Sequence, residues 1–185
     1  QQCNAGAAKS SGSILLFLHA DTLLPSNAFE LLEQYFHDKQ VQVGTFRLGF
    51  DEPHSILKLY SFFTRFDSLF TRFGDQCIVV RKSFFTAIGG FPDWPLFEDV
   101  RLLQVAREHT RVYSFPAQVM TSARRFKRHG LIRQQLRNAT LIIRYVLGAV
   151  PEELALRYER EFKKEPPIKR MPSPQSSALL SLEET

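Results

Sequence analysis

The chain has 185 residues, 44% of them hydrophobic, which suits one domain with a substantial core and excludes a disordered polymer. Its formal net charge of +5 fits anionic ligands such as nucleotide diphosphates, or an anionic membrane surface, without calling for a nucleic acid. Two cysteines, Cys3 and Cys77, make neither a disulfide framework nor a zinc-type spacing. They fit a reducing, cytoplasmic setting, and no apolar run is long enough to span a bilayer.

In chain order, Asn4 to Gly12 is rich in Ala, Gly and Ser and reads as a closely packed helix. Ile14 to Leu18 reads as a strand buried on both faces, ending in His19-Ala20-Asp21-Thr22. An Asp at the carboxyl end of a buried strand sits where open α/β sheets bind ligands, and it equally suits a helix cap or a solvated turn. Ser26 is the expected N-cap of a helix reaching His37, with Phe29, Leu32 and Phe36 on its apolar face. Val41 to Phe50 reads as a strand, and His54 to Phe73 as one long helix. On that helix Lys58, Arg65 and Arg72 mark a polar stripe, and Leu59, Phe62, Phe63, Phe66, Phe70 and Phe73 form a wide face expected in the core.

Asp75 to Arg81 is expected as a strand, followed by a short helix from Lys82 to Ile88 with Gly89-Gly90 as its C-cap. Phe91-Pro92-Asp93-Trp94-Pro95 forms a stiff loop, and Glu98-Asp99 opens a helix to about His109. Arg111 to Phe115 and Gln118 to Ala123 read as two edge strands. Helices are expected over Gly130 to Leu147 and from Pro151 onward. The Pro- and Ser-rich end lacks core residues, which divides the chain into a domain over 1–160 and a disordered tail over 161–185. Alternating strands and helices predict a three-layer α/β domain.

Chemistry concentrates in two constellations. The carboxylates Asp21, Asp75 and the adjacent pair Glu98-Asp99 each bound a strand or open a helix. Adjacent carboxylates repel, so Glu98 and Asp99 must face different surroundings or share a counterion. From Thr121 to Arg137 six Lys or Arg residues occur with no acid, either a solvated basic face or a clamp for a diphosphate. No GxxxxGK[ST], GxGxxG or GxSxG motif is present.

Together these segments resemble the family-2 glycosyltransferases of the GT-A fold, and within them the branch called radical-SAM/selenodomain-associated transferase 2. The resemblance runs from Gln2-Cys3-Asn4-Ala5-Gly6-Ala7 through Leu15 to Pro25. It continues over Gly74-Asp75-Gln76, Gly89-Gly90-Phe91-Pro92, Pro95 to Val100, and Thr121 to Phe126, and ends at Gly148 to Glu152. It implies a GT-A-like α/β/α sandwich lacking the first strands, because the family's nucleoside-binding strand, turn and helix correspond to nothing after Gln1. It implies a glycosyltransferase that moves a sugar from a nucleotide-sugar donor to a hydroxyl acceptor with Mg2+ or Mn2+. In that pattern Asp21 with His19 would hold the metal, His19 replacing the family's first Asp. Asp99, beside Glu98, would be the base. Asp75, Gln76 and Trp94 would face the acceptor, and Arg124 and Arg125 would stabilise the leaving diphosphate, with Phe126 in place of the family's Trp. Competing readings are a non-catalytic interaction module and a peripheral membrane protein using the Phe-rich helix with Arg133, Arg137 and Arg144.

Overall fold

A computed structural model describes residues 2–65, 74–123 and 130–163. The long apolar strands make a mixed sheet of five strands. These are β1 (Ile14–Phe17), β2 (Thr22–Leu23), β3 (Val43–Phe50), β4 (Ile78–Arg81) and β5 (Val112–Thr121), in the order β1-β4-β3-β5-β2. β1 pairs antiparallel with β4, β4 antiparallel with β3, and β3 parallel with β5. Hence β1, β3 and β5 all point the same way, and their carboxyl ends share one edge of the sheet.

Helices cover both faces, as an apolar sheet requires. Leu15, Val43, Ile78, Val80 and Val112 pack with Ala7 of α1 (Gln2–Lys9), Phe85 of α4 (Lys82–Ala87), and Leu102, Leu103 and Ala106 of α5 (Glu98–His109). On the opposite face Phe46, Leu48, Val79, Phe115 and Val119 pack with Ala28, Leu32 and Phe36 of α2 (Ala28–His37). Phe115 lies at the centre of that second layer, with ring contacts to Tyr35, Phe36 and Phe46. The mixed α/β class expected from the alternation of elements is therefore present, with helices on either side of the sheet. The remaining helices among the described residues are α3 (Ser55–Phe63), α6 (Leu131–Val146) and α7 (Pro151–Lys163).

Several boundaries differ from the sequence reading. Only Leu15 of β1 is fully buried, and among the described strands β1 stands at the edge of the sheet. The N-cap of α2 is Asn27 and not Ser26, and Phe29 is exposed. Helix α3 stops at Phe63, where Thr64 donates to Ser61 O and accepts from Leu48 N. That hydroxyl joins the end of the helix to the neighbouring strand. Leu59, Phe62 and Phe63 are exposed, and Phe66, Phe70, Arg72 and Phe73 lie outside the described residues.

Residues 74–76 form a 3-10 turn ahead of β4. The two expected edge strands are a single strand, β5, lying inside the sheet between β3 and β2. Its pairing with β3 slips between Ser114 and Gln118, at a bulge containing Pro116. Proline has no N–H to give a ladder, so an interruption there is physically expected. The tail expected over 161–185 lies outside the described residues from 164 on.

Candidate functional site at the carboxyl edge of the sheet

The topology brings most of the sequence-nominated residues to one edge. β1 ends at Phe17, and β2 resumes on the far side of β5, so residues 18–21 cross the carboxyl edge of the sheet. They do so through a turn closed by Thr22 N donating to His19 O at 3.1 Å. His19 and Asp21 are both exposed in this turn. Asp21 caps no helix, since α2 begins seven residues later at Ala28. The turn is tied down beyond Asp21, where the Thr22 hydroxyl donates to the Thr121 hydroxyl at 3.2 Å and β2 pairs with the end of β5.

β4 runs against β1, with Ile78 opposite Phe17, so the 3-10 turn before β4 lies at this same edge. Asp75 is partly buried there, close enough to Tyr60 for its charge to add to the rise in that phenol's pKa, which burial drives first. Gln76 is fully buried, so an acceptor could touch its amide only if the turn opened.

Glu98 and Asp99 reach the edge by a different route. A two-residue link joins α5 to β5, and α5 packs back along the sheet, which sets the start of α5 at the carboxyl end of β5. Phe97, at the N-cap, adopts a left-handed conformation with φ 64°. A residue with a Cβ pays roughly 1 kcal/mol or more to hold that shape, and such outliers gather at functional sites.

The two carboxylates face different neighbours, as their mutual repulsion requires. Burial raises the Cys3 thiol, and Glu98 raises it further, which places Glu98 beside α1. Burial also raises Tyr145, Arg101 opposes the rise and Asp99 adds to it, which places Asp99 beside α6. Tyr145 donates to Gln104 Oε1 at 2.7 Å and stacks against Phe97 and Trp94, at centroid distances of 4.9 and 6.3 Å. The half-buried Trp94 thus belongs to an aromatic wall around the first turn of α5.

Asn4 and the Gly89-Gly90-Phe91 segment meet in space. Asn4 Nδ2 donates to Phe91 O at 2.8 Å, and Phe91 N donates to Asn4 Oδ1 at 3.0 Å. Gly90, at φ 70°, leaves room for this, because a Cβ there would lie 2.9 Å from Asn4 Oδ1. This pair fixes the start of the loop that delivers Trp94 and Glu98.

Arg124 and Arg125 lie outside the described residues, but the approach to them is visible. Asp51, directly after β3, accepts from Ala123 N at 2.7 Å and donates its own N–H to Thr121 O at 3.2 Å. Asp51 was not singled out from the sequence, although it repeats the signal that marked Asp21, a carboxylate just beyond an apolar strand. Next to it opens a cleft of about 510 Å³ between α3 and the ends of β3 and β5, lined by Phe50, Asp51, Lys58, Phe62, Gln118 and Met120 among others. Neither Asp21 nor Asp99 lines this cleft. Arg47, also unforeseen, is half-buried on β3 with its Nε shielded and without a hydrogen bond. By strand alternation it shares its face with Val43 and the α5 layer.

Among the described residues, no group of three or more His, Cys, Asp or Glu side chains is placed to hold a metal ion. Asp21 and His19 offer one carboxylate and one imidazole from a single exposed turn. The Asp21 carboxylate suits a hard divalent ion whose other ligands are phosphate oxygens and water, the usual way magnesium is held, whereas the His19 imidazole is a softer donor than magnesium prefers.

No protein-family model and no curated protein sequence matches the chain. Its functional reading therefore rests on the residues gathered at the carboxyl edge.

Proposed function

We propose that the chain is a glycosyltransferase with a GT-A-like arrangement, moving a sugar from a nucleotide diphosphate to a hydroxyl. The observation that carries this reading is the convergence of the Asp21 turn, the Asp75 turn, the first turn of α5 and the end of β5 on one sheet edge. Ligands of open α/β sheets bind beyond the carboxyl ends of their strands.

In this reading Asp21 and His19 hold Mg2+ or Mn2+ together with the donor's diphosphate. Bound there, the ion neutralises charge on the departing diphosphate. Asp99 accepts the proton of the acceptor hydroxyl, held in position by the strained Phe97 and the Tyr145 wall. Glu98 is turned toward α1, away from Asp99. Trp94 and Asp75 border the acceptor. Arg124 and Arg125 follow Ala123 directly and supply guanidinium charge, which cannot be lost by deprotonation, to the leaving group.

The test compares wild type with Asp21→Asn and Asp99→Asn for nucleotide-sugar turnover and for calorimetric binding of uridine diphosphate with manganese. Loss of a positioned base costs about 10² to 10⁴ in rate, so Asp99→Asn should lose turnover and keep nucleotide binding. Asp21→Asn should lose manganese-dependent binding. Undiminished turnover in both variants, or no nucleotide binding by the wild-type chain, overturns the reading; the latter favours the interaction-module alternative.

A further inference from the structure

Helix α6 shows a surface that the proposed transfer chemistry does not use. Its buried side is narrow, carried by Ile142 and by Tyr145 against α5. On its outer side Ile132, Leu136, Ile143 and Val146 are 66, 64, 50 and 47% exposed. With Ala139, also exposed, they recur at spacings of four, three, four and three residues. At about 100° per residue these five positions fall within an arc of roughly 80°, one continuous apolar stripe. Leu147, 81% exposed, and Val150 extend it past the end of the helix.

The charge on this helix is one-sided as well. Arg133, Arg137 and Arg144 lie together on one flank of the stripe, and α6 contains no Asp or Glu. Arg137 is engaged internally, donating to Tyr158 O at 3.2 Å and covering the Tyr158 ring, which pins α7 to α6. Arg133 and Arg144 are exposed. In the sequence four further basic residues, Arg124, Arg125, Lys127 and Arg128, precede the helix. Along the sequence the nearest acids are Glu152 and Glu153, beyond the stripe at the start of α7, and in space Asp99 of α5 lies beside Tyr145, away from the stripe.

An apolar stripe with cations along one flank and no carboxylate of its own matches a lipid interface. Its apolar side chains enter the acyl boundary while guanidinium groups meet anionic headgroups. Arginine's long stem suits that boundary, because it can lie along apolar surface with its charge in water. A second copy of this chain would present the same Arg flank to itself, and like charges oppose that pairing. We propose that α6 lies in the plane of an anionic membrane surface, with Ile132, Leu136, Ile143 and Val146 toward the lipid and Arg133 and Arg144 on phosphate-bearing headgroups. No helix among the described residues is long and apolar enough to cross a membrane, so the contact is peripheral.

Sedimentation of the 185-residue chain with vesicles tests this, in EDTA and without nucleotide, so that the result is independent of transfer chemistry. Vesicles of phosphatidylcholine with one-third phosphatidylglycerol should bind it, and pure phosphatidylcholine vesicles should bind at least tenfold less. Raising salt from 0.1 to 0.5 M should weaken binding about tenfold or more as headgroup attraction is screened. Arg133→Glu and Arg144→Glu should each cost roughly fivefold or more. Leu136→Glu with Ile143→Glu should abolish most binding while leaving thermal unfolding unchanged, since both side chains already face solvent. Failure to bind anionic vesicles, or binding unaffected by the stripe variant, overturns the proposal. So does a wild-type dimer in light scattering that the stripe variant dissolves, because a second copy then covers the helix.

Discussion

Asn4 and Gly90 lie far apart in the sequence and serve one local structure. The Asn4 amide donates to and accepts from the backbone of Phe91, bridging a separation of 87 residues. Asn4→Ala would strand a part-buried N–H and C=O, which costs about 1–3 kcal/mol. Urea denaturation should show that loss. Gly90→Ala should be at least as damaging, because a Cβ would approach Asn4 Oδ1 at 2.9 Å and the Phe85 ring at 3.1 Å from a backbone at φ 70°. Paired in a double-mutant cycle, the two changes should be strongly non-additive, since both break the same link. If the two losses simply add, the Asn4–Phe91 bridge does not couple the loop to α1. The sequence marked Gly89-Gly90 as a helix end and as one segment of the family resemblance. The partner of Gly90 was invisible there because a contact between distant residues leaves no local periodicity.

Elements bounded by strong local chemistry were legible, and those decided by tertiary packing were not. Helix α5 runs from Glu98 to His109 as expected, because a paired carboxylate start and a basic last turn both complement the helix dipole. Helix α3 was expected to reach Phe73; it runs to Phe63, Thr64 and Arg65 follow in a turn, and residues 66–73 lie outside the described residues. Thr64 ties this end to β3 by accepting from Leu48 N, a long-range bond that no local periodicity announces. β5 was read as two edge strands on either side of residues 116 and 117, whereas a bulge containing Pro116 lets the strand continue.

The central layer yields a sharper prediction at this scale. Gly44 of β3 faces the fully buried Phe115 of β5, and a Cβ on Gly44 would meet the ring at 2.5 Å. Gly44→Ala should therefore cost about 1–3 kcal/mol through overpacking, read as a lower urea midpoint. Adding Phe115→Leu should cost less in the Gly44→Ala background than in wild type. Equal costs in both backgrounds would mean that the ring does not limit position 44.

At the scale of the whole molecule, the candidate site was legible as a set of residue types and not as a shape. Asp21, Asp75 and Asp99 were named from strand ends and a helix start, and the alternation of elements was enough to expect a layered sheet. Which edge each residue reaches depends on strand order, and strand order is set by the global packing of β1, β4, β3 and β5. Arg47 escaped notice for that reason, since it does not stand out until β3 is seen between β4 and β5, whereas Asp51 carried the same strand-end signal as Asp21. The same packing gives the folded chain a pH dependence that local sequence does not show. Cys77 is wholly buried between the 3-10 turn and β4, and burial pushes its thiol up to about 12. Burial also raises Tyr60, in the same layer. In the unfolded chain a cysteine releases its proton near pH 8.5–9. Above that value the unfolded state binds fewer protons than the folded one, so stability falls as pH rises toward 12. The slope for one thiol is about 1.4 kcal/mol per pH unit across that window. Urea midpoints between pH 8 and 10.5 should therefore decline for the wild-type chain. Cys77→Ala should decline less steeply by about that slope, whatever its stability at pH 8. Parallel curves for the two proteins would mean that the Cys77 thiol ionises as readily in the folded chain as in the unfolded one.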